Sequence, residues 1–272
     1  MMYPPVRLIA LDLDGTLLDE EKKIPDQAVQ MIAKAKEKGI IVTLASARPF
    51  CSMLPYARQL QLDTPLISLS GSYVTDEREE RIWLKRPMNL LKFREMVRIF
   101  EEENYYVKVY LENQLIVQQA TKETVNYSRI FGVPYTVLGP KKLRTLEKAP
   151  LRIALFDDSI RIRNAQQILK TWSDDFAVIR DTDHGLEIVE PTVSKGAALK
   201  IICCGLGIPM ENVMAIGNEG SDISMIREAG IGIAMGNACE ELKQCADDVT
   251  KTNEECGVGY AIQKFVFKES LK

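Results

Sequence analysis

Asp12 and Asp14 stand two residues apart at the end of a largely apolar run that begins at Val6, and Gly15 and the hydroxyl of Thr16 follow at once. Two acids this close repel each other unless a cation or a proton resolves the conflict, and at neutral pH a divalent cation is the less costly answer. Three other apolar runs end in small or polar residues: Ala45 to Arg48, Ser70 to Ser72, and Gly217 to Asp222. Lys195 opens a helical stretch. Brought to one edge, these tips would hold an anion beside a metal. The backbone N–H groups of residues 13–16, the Ser46 hydroxyl and the Lys195 ammonium are donors for phosphate oxygens. Mg2+ on carboxylate ligands would offset the remaining charge. Plainer roles compete at single positions: Ser46 as a turn hydroxyl, Lys195 as a first-turn lysine, Arg48 before Pro49 as a surface residue, Gly71 and Gly217 as points of backbone freedom.

A parallel sheet is what could gather such tips. The run through Leu13 reads as a strand buried on both faces, which puts Asp12 at its C-terminal end, the edge where open α/β sheets bind ligands. A helix is expected over 25–38, with Ala28, Met31, Ile32 and Ala35 on its apolar side and Gly39 as its stop. Strands over 40–45 and 65–69 enclose a second helix near 54–60. This βαβαβ order predicts an α/β fold with a doubly wound, Rossmann-like parallel sheet. From Trp83 the rhythm changes to an amphipathic helix over 90–103 and short strands near 105–109, 115–117, 151–156 and 176–179. That pattern predicts an inserted α+β domain over 83–184. The α/β rhythm is read as resuming at Leu186 to Val189 and continuing through a helix at 195–204 and strands at 213–216 and 231–234. The core domain is thus expected to comprise 1–82 and 185–272.

Composition narrows the partners. The 272 residues are 46% hydrophobic, enough for a sizeable core, and the formal net charge of -3 comes without any cluster of Lys and Arg that would point to nucleic acid. No stretch approaches the roughly 20 apolar residues that span a bilayer, and no secretory leader pattern opens the chain. The expectation is a cytoplasmic protein with neither nucleic acid nor membrane as partner. The six cysteines lack the paired spacing of a zinc site, and the single histidine, His184, makes a Ser-His triad improbable.

The ordered set of motifs resembles the haloacid dehalogenase-like hydrolases, specifically the Cof-type phosphatases with an α+β (class IIB) cap. The likeness runs nearly end to end. It comprises Asp12 to Thr16, Val193-Ser194-Lys195-Gly196, the glycine-rich Ala229 to Ala238, and the tail from Ala246 to Thr250 through Gly257-Val258. The resemblance implies a Mg2+-dependent phosphatase for small phosphorylated metabolites, sugar phosphates among them, working through an aspartyl-phosphate. Asp12 would be the nucleophile and Asp14 the acid-base residue, with the Asp14 backbone carbonyl on the metal. Thr16, Ser46, Arg48, Gly71, Lys195 and Ser221 would bind phosphate or substrate. Asp12, Asp14, Asn218 and Asp222 would hold Mg2+.

The departures from that pattern bear on activity. The fourth motif usually reads Gly-Asp-x-x-Asn-Asp and here reads Gly217-Asn218-Glu219-Gly220-Ser221-Asp222. Asn218 therefore replaces a carboxylate ligand with a neutral amide, which should weaken Mg2+ binding, and Glu219 is a conceivable substitute. Ser46-Ala47-Arg48 stands where Thr-Gly-Arg is usual, and Ser70-Gly71 where Asn-Gly is usual. Two alternatives to the phosphatase stay open: a catalytically weakened regulatory module that binds a phosphorylated ligand, and a phosphomutase.

Overall fold

The structure is a computed structural model and describes residues 4–268. Leu8–Leu11 is completely buried, as its unbroken apolar sequence requires, and it is paired on both sides within a five-stranded parallel sheet. The strand order is Asp248–Val249, Ile231–Ala234, Val213–Gly217, Leu8–Leu11, Ile41–Leu44. A parallel bridge between Ala45 and Ile67 carries the pairing on toward Leu66–Ser68. The early strands are added on one side of Leu8–Leu11 and the late ones on the other. The winding direction therefore reverses beside this strand, and its carboxyl end, where Asp12 lies, is a topological switch point. Asp26–Glu37 is helical and buries Ala28, Met31, Ile32 and Ala35, the face its spacing predicts.

Two compact units divide the chain. One runs through Ala47, takes in Met53–Leu84 and resumes at Ser194; the other comprises Arg48–Ser52 and Lys85–Val193. The architecture is thus a parallel α/β core with an inserted α+β unit. The inserted unit is a six-stranded sheet in the order Ala177–Thr182, Gly185–Val189, Arg152–Phe156, Val107–Tyr110, Leu115–Val117, Tyr135–Val137, antiparallel except for its last pair. One face of the sheet presents Val107, Val109, Ile153, Leu155, Leu186 and Ile188 to the helices Leu90–Glu102 and Ser159–Leu169, through Phe93, Met96, Phe100 and Ile162.

The strand Gly185–Val189 differs from its expected placement. It does not resume the parallel core but pairs antiparallel with Ala177–Thr182 and Arg152–Phe156. The reason lies in Glu187. Leu186 and Ile188 face the apolar core of the inserted unit, while Glu187 points to the other side and accepts from Arg152 Nη1 at 3.1 Å. A charged residue in mid-strand marks a two-faced strand, unlike the uniformly apolar strands of the parallel sheet. The second helix also starts earlier than expected, at Phe50, with Pro55 inside it. Ser52 supports its first turn, donating from both its backbone N–H and its hydroxyl to Pro49 O. Among the described residues no helix is long and apolar enough to cross a membrane.

Glu112 gives the inserted unit an acid-sensitive tie. Burial alone would raise its carboxyl, but hydrogen bonds from Lys85 and Lys148 outweigh that and hold it at about 2 instead of 4.5. The folded value lies below the ordinary one, so this stabilisation is complete above about pH 4.5 and is lost as pH falls toward 2. Both lysines are partly solvated, so the effect is on the order of 1 kcal/mol. Urea midpoints between pH 5 and pH 3 should therefore fall more steeply for wild type than for Glu112→Gln. Parallel slopes would show that the tie contributes nothing.

Candidate active site

Asp12 continues the strand Leu8–Leu11 by one residue, donating its N–H to Ile216 O at 3.1 Å, and the chain then turns sharply. Thr16 N–H returns to Leu13 O and Leu17 N–H to Asp12 O. Gly15 makes the turn possible. Its φ is +76°, and a Cβ there would lie 2.5 Å from Asn218 Nδ2. Two asparagines secure the loop from outside: Asn237, within the glycine-rich segment, donates to Gly15 O at 2.8 Å and Asn253 to Leu18 O at 3.0 Å.

The turn sets Asp12 in the interior, only 5% exposed, against Lys195 at 2%. Lys195 Nζ donates to Asp12 Oδ1 at 2.7 Å and to Asp222 Oδ1 at 2.5 Å. Burial raises the Asp12 carboxyl from 3.8 to about 7 against the pull of Lys195, and the neighbouring charges of Asp222 and Asp14 push the same way. Burial also works against the Lys195 charge, but the two carboxylates outweigh it and hold the ammonium well above its usual range. Lys195 is thus a fixed cation. It reaches this place because Ser194 caps the helix Lys195–Leu206, accepting from Ala197 N–H at 3.0 Å, and because Gly71 lets the third strand tip come close. Gly71 has φ +106°, and a Cβ on it would lie 2.4 Å from Ser194 O. Leu69 and Ser70 before it also have positive φ, 48° and 59°, and the buried Ser70 hydroxyl has no hydrogen-bond partner among the described residues. Two non-glycine residues in that region store roughly 1–2 kcal/mol each at the rim of the site.

Asp222 is fully buried and its oxygens are engaged by protein donors: Lys195 on Oδ1, the N–H groups of Asn218 and Glu219 on Oδ2 at 2.9 and 3.0 Å. Glu219 is exposed, and its side chain accepts from the Asp222 backbone N–H, which closes a capping box around the turn Gly220–Asp222. Asn218, 6% exposed, faces the loop that follows Asp12. The inward atom of its amide lies 3.0 Å from Thr16 Oγ1, 3.2 Å from Asp12 Oδ2 and 3.1 Å from Asp14 O.

Among the described residues no three His, Cys, Asp or Glu side chains cluster to hold a metal. The oxygens of Asp12, Asp14 and Asn218 nevertheless fit Mg2+, a hard cation that takes oxygen ligands. Adjacent ligands on an octahedron of roughly 2.1 Å bonds lie about 3 Å apart. That spacing matches the distances from the Asn218 amide to Asp12 Oδ2 and Asp14 O.

The other predicted site residues fall as follows. The Asp14 carboxylate is 38% exposed and pairs with Lys22 Nζ at 2.9 Å, a partner no motif pointed to. Ser46 is buried at its strand tip, donating its N–H to Ile67 O at 2.8 Å and accepting Ser70 N–H at 3.0 Å. Ser221 is half-buried in the turn Gly220–Asp222. Arg48 groups with the inserted unit, where its guanidinium carbon lies 4.6 Å from the centre of the Phe131 ring.

This arrangement has close parallels among known proteins. The family model for the haloacid dehalogenase-like hydrolases matches residues 9–262. The stress response protein YhaX of Bacillus subtilis is 33% identical, covering 98% of this chain and 95% of its own. From the same organism, the 5-amino-6-(5-phospho-D-ribitylamino)uracil phosphatase YcsE is 30% identical over 96% of each chain. A haloacid dehalogenase-like hydrolase from Bacteroides thetaiotaomicron shares the fold with a TM-score of 0.85 at 24% identity, covering 95% of this chain and 99% of that one. With its buried aspartate at the switch point, its lysine partner and a family match over nearly its whole length, the chain belongs to the haloacid dehalogenase-like hydrolases.

Proposed function

We propose that this hydrolase is a Mg2+-dependent phosphatase that takes the phosphoryl group of a small phosphorylated metabolite onto Asp12. Phosphoric monoester hydrolysis is the activity for which several of its relatives are named. The finer reading rests on one observation: Asp12 is a buried carboxylate with Lys195 on one oxygen and, 3.2 Å from the other, the Asn218 amide, which also lies 3.1 Å from the Asp14 carbonyl. In the first half of the reaction an Asp12 oxygen bonds to phosphorus while the bond from phosphorus to the leaving oxygen breaks. Asp14, exposed enough to reach a substrate, gives its proton to that oxygen. In the second half Asp14 takes a proton from water, whose oxygen bonds to phosphorus as the Asp12 ester breaks and inorganic phosphate leaves. Lys195 holds Asp12 in orientation and supplies fixed positive charge beside it. Mg2+, when bound, would add charge against the phosphoryl oxygens.

Polyol and sugar phosphates are the first substrate class to test, since YcsE is named for a phosphorylated ribityl compound. The six cysteines, none of them in a disulfide among the described residues, suit a reducing compartment such as the cytoplasm. Asn218 favours a second reading, a weakened relative that binds a phosphorylated ligand without turnover, because a neutral amide attracts Mg2+ less than a carboxylate does. A panel of phosphate monoesters with titrated Mg2+ separates the two. Metal-dependent phosphate release is the expected result; no release from any member would leave only the binding reading.

A further inference from the structure

The Asn218 side chain is held by everything around it except the torsion that exchanges its two ends. Its backbone N–H is fixed on Asp222 Oδ2 and its carbonyl accepts from Cys239 N–H at 2.9 Å. The outward end of the amide lies so close to Gly15 that only a residue without a side chain fits there. The inward end meets Thr16 Oγ1, Asp12 Oδ2 and Asp14 O at 3.0 to 3.2 Å. With Asp12 ionised, only the Thr16 hydroxyl among these three oxygens carries a proton. With its oxygen inward, the amide therefore faces a carboxylate and a carbonyl with nothing between them, an arrangement that calls for a cation. With its nitrogen inward, it donates its two protons to the same oxygens and satisfies them without one. A carboxylate at this position, lacking protons, could do only the first.

We propose that the Asn218 amide is a built-in stand-in for the cation: its NH2 end caps Asp12 and Asp14 when metal is absent, and Mg2+ enters only as the amide turns over to present its oxygen. The inference rests on the Mg2+ reading given above. It makes the metal-free state a completed hydrogen-bonded structure rather than a vacant, repulsive one. It also makes every Mg2+ ion compete with hydrogen bonds already formed.

The test compares wild type with Asn218→Asp by thermal unfolding in EDTA and in saturating Mg2+, together with Mg2+ calorimetry. In EDTA the wild type should unfold several degrees above the variant, whose new carboxylate faces Asp12. In Mg2+ the order should reverse, and the variant should bind Mg2+ at least tenfold more tightly. Equal unfolding temperatures in EDTA, with equal Mg2+ affinities, would overturn the role given to Asn218 and leave the Mg2+ reading standing. No Mg2+ binding by either protein would overturn that reading and the exchange with it. If Asn218→Asp does not fold, Asn218→Ser assigns the side-chain NH2 protons in a nitrogen-15 NMR spectrum of wild type. Those protons should be protected from solvent exchange in EDTA and lose protection in Mg2+; unprotected protons in EDTA would overturn the proposal.

Discussion

Asp12→Asn protein should release phosphate at no more than about a thousandth of the wild-type rate, because an amide cannot form the ester on which the proposed sequence of steps depends. Its fold should be nearly unharmed. The new side chain keeps an oxygen for Lys195 Nζ to donate to, and Lys195 retains Asp222 as its charged partner. Removing one of two buried carboxylates also relieves the repulsion and desolvation that raise the Asp12 carboxyl to about 7. The measurement is paired: phosphate release on the best substrate of the panel, and unfolding in urea. Turnover within tenfold of wild type, in a folded variant, would remove Asp12 from the chemistry.

Lys195→Met should fail in both respects. The ammonium is 2% exposed and lies between two buried carboxylates, so its loss leaves Asp12 and Asp222 facing each other without a counter-charge. Breaking a buried ion pair from one side costs about 3–5 kcal/mol, and turnover should fall with it because Asp12 loses its orientation. Adding Asp222→Asn to Lys195→Met should restore part of the stability by removing one stranded charge, and none of the activity. The pair forms a double-mutant cycle read in urea midpoints. An unchanged midpoint in Lys195→Met would mean that the buried cluster is not held by charge.

Much of this site was open to reading because its residues obey short-range rules. Asp12 had to end a strand since the residues before it are apolar without alternation, and such a strand belongs to a covered parallel sheet. The helix face of Ala28, Met31, Ile32 and Ala35 follows from spacing alone. What escaped was set by partners distant in sequence. Glu187 sits in a run apolar enough to pass for a core strand until Arg152, 35 residues earlier, is seen to pair with it. Lys22 looks like any loop lysine until the turn after Asp14 folds it back. The two orientations open to the Asn218 amide depend on three oxygens of the loop 12–16, with Thr16 itself 202 residues away in sequence, and no local pattern contains them. Arg48 belonged to a recognisable tripeptide, yet the division of the chain places it with the inserted unit rather than with Ser46.

The pairing of Asp12 with Lys195 joins residues 183 positions apart. At ribosomal speeds of about 5–20 residues per second, roughly 10 to 40 s pass between the synthesis of the carboxylate and of the ammonium that neutralises it. The whole inserted sheet is made in that interval, and the strand Val213–Gly217 that pairs with Leu8–Leu11 is made after it. During biosynthesis, then, Asp12 waits for its cation while the inserted unit is made. A nascent chain interrupted before Lys195 carries Asp12 without the ammonium that pairs with it.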